Sequence, residues 1–221
     1  TLDRTVNVVD TTAPLISLLG DVLYTMECGY PYESPGAFAL DACDGNLTGV
    51  IDVDDSLLNT NAVGVYTVTY SVTDGAGLTS QVDRTVAVVD TELPIITLLG
   101  DNPMTVECGD AYVEPGATAA DACTGDMTAS IIIGGDVVDP GVVGAYSVTY
   151  TVTDPEGNSV EVTRVVNVVD TTIPVITLTG DAAVTTECSL PYTDAGATAL
   201  DVCDGDLTAS IVTVNPVDTA V

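Results

Sequence analysis

The residues able to do chemistry in this chain are acids and cysteines set at fixed spacing. The stretch DACDGNLT at 41–48 holds Asp41, Cys43, Asp44 and Asn46, and it returns at a constant interval as DACTGDMT at 121–128 and DVCDGDLT at 201–208. Asp41, Asp44, Asp121, Asp126, Asp201, Asp204 and Asp206 are hard oxygen donors of the kind Ca²⁺ takes, roughly six to eight at a time with backbone carbonyls and water. Their spacing is not that of an EF-hand loop, and Asp-Gly turns in which aspartate bonds its own backbone explain the same residues. Both readings stand. A second acidic set is Asp10, Asp90 and Asp170, with Asp74 and Asp154 in a TDxxG turn expected at the same end of each unit. A Ca²⁺ ion held there would brace consecutive units; ordinary turn chemistry is again the competing explanation. Asn46-Leu47-Thr48 adds one N-glycosylation sequon, in the first copy only.

The six cysteines fall as pairs at 28 and 43, 108 and 123, 188 and 203. Even, evenly placed cysteines in an array of small domains point to disulfides made outside a reducing cytosol. The chain has no histidine and no C-x-x-C, which disfavours zinc and removes histidine-activated nucleophiles. Acids spread at repeat spacing argue against the single two-carboxylate cleft of a glycosidase, so no enzymatic activity is expected. Thirty-three acidic residues against three basic ones give a net charge of −30, which excludes nucleic acid and anionic membranes as natural partners. The 46% hydrophobic content, rich in Val, Ile, Thr and Tyr, belongs to strands that bury one face rather than to a disordered acidic tail. No apolar run is long enough to span a bilayer, and the first residues lack a signal-peptide pattern.

These residues must be positioned by a repeated element. Pro14, Ile16, Leu18, Gly20 and Asp21 recur as Pro94, Ile96, Leu98, Gly100 and Asp101, then as Pro174, Ile176, Leu178, Gly180 and Asp181. The units are 12–91, 92–171 and an incomplete 172–221, preceded by 1–11 as the last strand of an earlier or donated unit. In VYTVTYSVTD, Tyr66, Val68, Tyr70 and Val72 alternate with hydroxyl residues, the period of a strand with one face buried. A unit of this length with six or seven such strands suits a β-sandwich, and the whole is predicted to be all-β, a linear array of sandwiches. VVDTTAP, VVDTELP and VVDTTIP join units without a flexible spacer, predicting a stiff rod. A window on a longer repetitive polypeptide is the expected origin of the partial units. Donation of residues 1–10 to the open sandwich of a neighbouring molecule is the sharper alternative, although that piece replaces one of two missing strands.

The order P-x-I-x-L-x-G-D, Y-x-x-x-G-A-x-A-x-D-x-x-x-G-x-L/M-T, V-G-x-Y-x-V-T-Y-x-V-T-D and R-x-V-x-V-V-D resembles the bacterial surface immunoglobulin-like repeats, relatives of the hyalin-repeat group. The resemblance implies tandem immunoglobulin-like β-sandwiches in stalks, adhesin shafts or fibres, without catalytic residues. The cysteines depart from the commonest pattern of that family. In immunoglobulins the disulfide reaches a position that is Val68 or Val148 here, so Cys28 must pair elsewhere, and Cys43 lies a short way on in its own unit. Closing a loop of roughly 15 residues gives about 3 kcal/mol on the chain-entropy model. Cys28–Cys43, Cys108–Cys123 and Cys188–Cys203 are therefore expected; pairing between units, with the terminal cysteines left odd, is the alternative. Arg4, Arg84 and Arg164 share one place in the last strand, in phase with inward valines, and each is expected to rest its stem on the core with its guanidinium on a carboxylate.

The function expected is structural: a segment of a prokaryotic extracellular or cell-surface fibre, filament, stalk or adhesin shaft, stiffened by disulfides and Ca²⁺. Its partners would be itself, further repeats and glycans. The alternative is a non-catalytic ligand- or carbohydrate-binding module of a larger secreted protein, but with no Trp and only Phe38 the chain offers few exposed aromatics. Without lysine, lysine–asparagine isopeptide cross-links are excluded.

Overall fold

The computed structural model describes residues 2–214 and 217–219. Its contacts form two compact units, one of Thr1–Ile95, Ala119–Ser130 and Val152–Val160, the other of Ile96–Thr118, Ile131–Thr151 and Glu161–Val221. These units do not follow the sequence repeat, because the first takes in the opening turn and a hairpin tip of the second repeat.

The first repeat lays β1 (Leu15–Leu18), β3 (Ala37–Asp41) and β4 (Gly45–Asn46) in one sheet, order β1-β3-β4. Its second sheet is β2 (Leu23–Glu27), β5 (Asp52–Asp54), β6 (Gly64–Thr73) and β7 (Thr79–Val89), order β2-β7-β6-β5. Seven strands in two sheets make the predicted sandwich. The alternation in β6 does what its period dictates: Val68, Tyr70 and Val72 are buried, and Val68 and Tyr70 meet Val86 and Val88 of β7 and Met26 of β2 in the core. β6 and β7 form a long antiparallel hairpin, whereas β2 runs parallel to β7 from Leu23↔Thr85 to Glu27↔Val89.

The second repeat repeats this plan. β8 (Ile95–Leu98), β10 (Ala117–Asp121) and β11 (Gly125–Asp126) form one sheet. β9 (Met104–Glu107), β12 (Ile132–Gly135), β13 (Gly144–Thr153) and β14 (Ser159–Val169) form the other, order β12-β13-β14-β9. In the third repeat, β15 (Val175–Leu178), β16 (Ala197–Asp201) and β17 (Gly205–Asp206) form the first sheet, and no strand of the second sheet forms among the described residues. Short 3-10 turns follow β4, β11 and β17, and they are the only helical elements among the described residues.

Arg84 and Arg164 point into the core and are fully buried, as their phase with the valines predicts. Their partners differ from expectation. Arg84 donates to the carbonyls of Asp21, Leu19 and Gly36, with no carboxylate in the set, and its guanidinium lies 5.7 Å from the Tyr70 ring centre. Arg164 makes the same three bonds, to Asp101, Leu99 and Gly116, and alone adds a carboxylate, Glu114 at 3.3 Å. The reason is local: the chain turns after β1 and before β3 leave carbonyls facing the core, and only a multi-donor cation satisfies three of them at once.

Candidate cation sites and their disulfide staples

Each acidic turn begins with an aspartate that fixes its own backbone. The Asp41 Oδ1 accepts the N–H groups of Cys43 and Asp44 at 2.7 and 2.9 Å, Asp121 does the same for Cys123 and Thr124, and Asp201 for Cys203 and Asp204. The turn reading is thus correct for one oxygen of each carboxylate. The other oxygen has a different situation. The Oδ2 atoms of Asp10, Asp41, Asp74, Asp90 and Asp121 are buried and without a hydrogen-bond partner.

The residues that carry them lie in acidic clusters. Asp10 lies with Asp41 and Cys43, and again with Asp44 and Asp74; Asp90 lies with Asp121 and Asp154; Asp170 lies with Asp201 and Asp204. Within each group the ligand atoms are no more than 4.8 Å apart. Asp74 and Asp154 open the β6–β7 and β13–β14 hairpin turns, where their Oδ1 atoms accept the N–H of Leu78 and of Gly157 and Asn158. Asp41, Asp74, Asp154 and Asp201 are 5 to 7% exposed, and Asp90 is 9% exposed.

The electrostatics follow from this crowding. Burial pushes the Asp90 carboxyl above the usual range, and the charges of Asp121 and Asp154 push it further. Asp170 is raised by burial and then by Asp201. Asp154 is opposed by burial, but the Asn158 side chain and nearby N–H groups outweigh it and hold its carboxyl low. The N–H groups of Asp44 and Cys43 lower Asp41. A buried carboxylate oxygen with like charges beside it and no donor is costly unless a proton or a cation meets it. Oxygens bound to one Ca²⁺ at roughly 2.3–2.6 Å lie within about 5 Å of one another, which matches the spacing of these groups. The donors fit the ion.

Asp126 and Asp206 fall in no such group among the described residues. Their Oδ1 atoms cap the N–H of Thr128 and Thr208, as that of Asn46 caps Thr48, which is turn chemistry. Asn46 is exposed.

The cysteines correct the pairing expected within units. Cys28 bonds to Cys123 and Cys108 to Cys203, each across 95 residues. Cys28–Cys43, Cys108–Cys123 and Cys188–Cys203 do not form. Strand direction explains this. β2 runs parallel to β7, so Cys28 reaches the far end of its sandwich, where its N–H meets the Val89 carbonyl at 2.7 Å. β3 runs antiparallel to β1 and carries Cys43 back to the near end. The two cysteines of one repeat therefore face opposite ends, and each staple ties the far end of one repeat to the opening turn of the next. Gly29 permits the approach: its φ is +82°, and a Cβ there would collide with the Ala122 carbonyl. Cys43 is an exposed thiol. Its pKa is raised, chiefly by the Asp10 charge. Cys188 stands at the place of Cys28 and Cys108, beside Ser189.

Staple and acid cluster share one turn. Asp121 and Cys123 are near neighbours in it, and the linker after Asp90 is pinned as well, by Thr91 donating its N–H to Glu27 at 3.0 Å and its hydroxyl to the same carboxylate. Thr171 and Thr172 bind Glu107 in the same way.

The chain has relatives among known proteins. The chain is 29% identical over 187 residues to an uncharacterized 81.3 kDa protein of Acholeplasma phage L2, covering 80% of this chain and 25% of that protein. It is 27% identical over 196 residues to hyalin of Strongylocentrotus purpuratus, covering 80% of this chain and 15% of hyalin. The chain thus spans a quarter or less of the length of these relatives. A lipoprotein of Bacteroides thetaiotaomicron is a solved structure similar over 37% of this chain and 40% of its own, with 32% identity and a TM-score of 0.33. No helix among the described residues is long and apolar enough to cross a membrane, which says nothing of strands. Residues 16–88 and 96–168 each match the Ig-like domain of bacterial surface proteins, and the chain belongs to that family of surface modules.

Proposed function

We propose that this chain is a length of an extracellular stalk, fibre or adhesin shaft whose immunoglobulin-like repeats are braced, from one repeat to the next, by two devices, a disulfide and a Ca²⁺ ion. The role is mechanical and non-catalytic. The observation that carries it is the turn holding Asp121 and Cys123, where an orphaned buried carboxylate oxygen stands almost beside a staple to the preceding repeat. A disulfide alone holds one point; a cation bridging Asp90, Asp121 and Asp154 would hold a second and remove the repulsion among them. Asp10, Asp41, Asp44 and Asp74 would hold a like ion before the first repeat, and Asp170, Asp201 and Asp204 one before the third.

Calorimetry tests this. Ca²⁺ added to EDTA-treated protein should give heat and raise the melting temperature, by roughly 2.7 kcal/mol of stability at a hundredfold excess over Kd for one site. Asp121→Asn should remove one class of sites. Absence of heat and of any melting shift would end the cation reading and leave the staples as the only brace.

A further inference from the structure

We propose that the second repeat carries a docking edge for a second copy of this chain, with β12 of each copy pairing antiparallel to β12 of the other. β5 and β12 hold the same place in successive repeats, at the edge of a four-stranded sheet, with no strand beyond them among the described residues. The two edges are finished in opposite ways. In the first repeat the residues are Asp52, Val53 and Asp54, followed by Asp55. Charges on an edge strand guard it against strand addition, and acids repel a second copy of an acidic chain. In the second repeat the same positions are Ile132, Ile133, Gly134 and Gly135, and no charged residue occurs from Met127 to Gly135. Ile132 is 71% and Ile133 is 53% exposed. The guard that the first repeat has is missing from the second.

The strand is complementary to itself. About a two-fold axis through Ile133, that residue meets its own counterpart, and Ile132 lies opposite Gly134 of the other copy, on the face that these two positions share. A large side chain is thus set against a residue with none, and glycine within a strand suits the close approach of another backbone. Ile133 also lines a cleft of about 300 Å³ at this edge, with Tyr112, Glu114, Val138 and Val148 among its walls. An added strand would cover that cleft, its backbone bonding along β12, and four strands from each copy would join in one sheet. β12 itself offers no carboxylate to a basic segment, so the occupant its chemistry matches is another uncharged apolar strand. A second copy supplies one in the required order.

Sedimentation velocity of the 221-residue chain, with its thiols alkylated and EDTA present, tests this apart from disulfide exchange and from the cation reading. A dimer should form with rising concentration at physiological ionic strength, where the screening length is roughly 8 Å. It should weaken by about tenfold at about 0.01 M salt, where that length is roughly 30 Å and the two net charges repel. Ile132→Asp with Gly134→Asp installs the residues of β5, which forms its strand with them, and should weaken association by about 100-fold through opposed carboxylates and lost apolar burial. The reverse exchange, Asp52→Ile with Asp54→Gly, should give each copy a second open edge and carry assembly beyond the dimer. Amide exchange should slow with concentration over 132–135 and stay constant over 52–54. A single species at every concentration, or association unchanged by Ile132→Asp with Gly134→Asp, overturns the proposal.

Discussion

Arg84 and Arg164 occupy the same place in successive repeats, and they are held differently. Both satisfy three backbone carbonyls. Arg164 also bonds through Nε to the Tyr150 hydroxyl, and Glu114 accepts from Tyr112 and Tyr150 while pairing with the guanidinium. In the first repeat Ser34 replaces the glutamate and meets Tyr70 at 2.7 Å, and the Arg84 Nε has no partner. The carbonyl bonds are thus the constant part of the fold, and the carboxylate is an addition that one repeat has and the other lacks. The same separation holds at the junctions, where staples are constant and acids vary: Asp44 is matched by Thr124.

The constant parts should show the largest effects, equal in both units. Replacing Cys28 and Cys123 by alanine opens a loop of 95 residues and should cost about 4–5 kcal/mol on the chain-entropy model. The Cys108, Cys203 pair should cost the same, read from denaturant unfolding under non-reducing conditions. Unequal losses would mean that the staples do different work.

Removing each arginine breaks the comparison more sharply. Arg84→Met orphans three buried carbonyls and should cost about 3 kcal/mol, while Arg164→Met also strands the Glu114 charge and should cost about 4–5 kcal/mol. Adding Glu114→Gln to Arg164→Met should bring the second loss down to the first. If it does not, the carboxylate is not what distinguishes the two seats.

Acids give smaller effects. Asp90→Asn removes a carboxyl already raised by burial and by Asp121, so stability without Ca²⁺ should rise by about 1 kcal/mol while the gain on adding Ca²⁺ shrinks. Thermal melts in EDTA and in Ca²⁺ separate the two signs. The smallest expected effect is a pH difference between units. Burial opposes ionisation of Glu114, but Tyr112, Tyr150, Gly116 and Arg164 outweigh it and hold its folded pKa below the ordinary value. Its contribution is present above the unfolded pKa and is lost as pH falls through the depressed folded value. Amide exchange near Arg164 should therefore quicken below about pH 4 more than exchange near Arg84. Glu114→Gln should abolish the difference.

Much of this was legible beforehand. The alternation of Tyr66, Val68, Tyr70 and Val72 predicted a strand because side-chain direction along a strand has period two and needs no distant partner. The place of Arg84 and Arg164 followed from their phase with valines, but their partners did not. A buried guanidinium accepts any convergent oxygens, and the turns that present carbonyls to it lie 48 to 65 residues away. Among the aspartates, composition could not separate clustered acids from caps. Asp121 and Asp126 read alike in DACTGDMT, yet one lies with Asp90 and Asp154 and keeps an oxygen without a hydrogen-bond partner, while the other caps Thr128.

By itself the sequence determined the strands, the tandem repeat, the acidity and the presence of a disulfide framework, since each depends on neighbours along the chain or on counts. Which cysteines meet was decided only in three dimensions. That choice depends on whether a strand runs with or against its partner, and the parallel pairing of β2 with β7 sends Cys28 away from Cys43 and toward Cys123. Chain distance favours the short loop within one repeat, but a folded sheet holds the two ends of that loop apart.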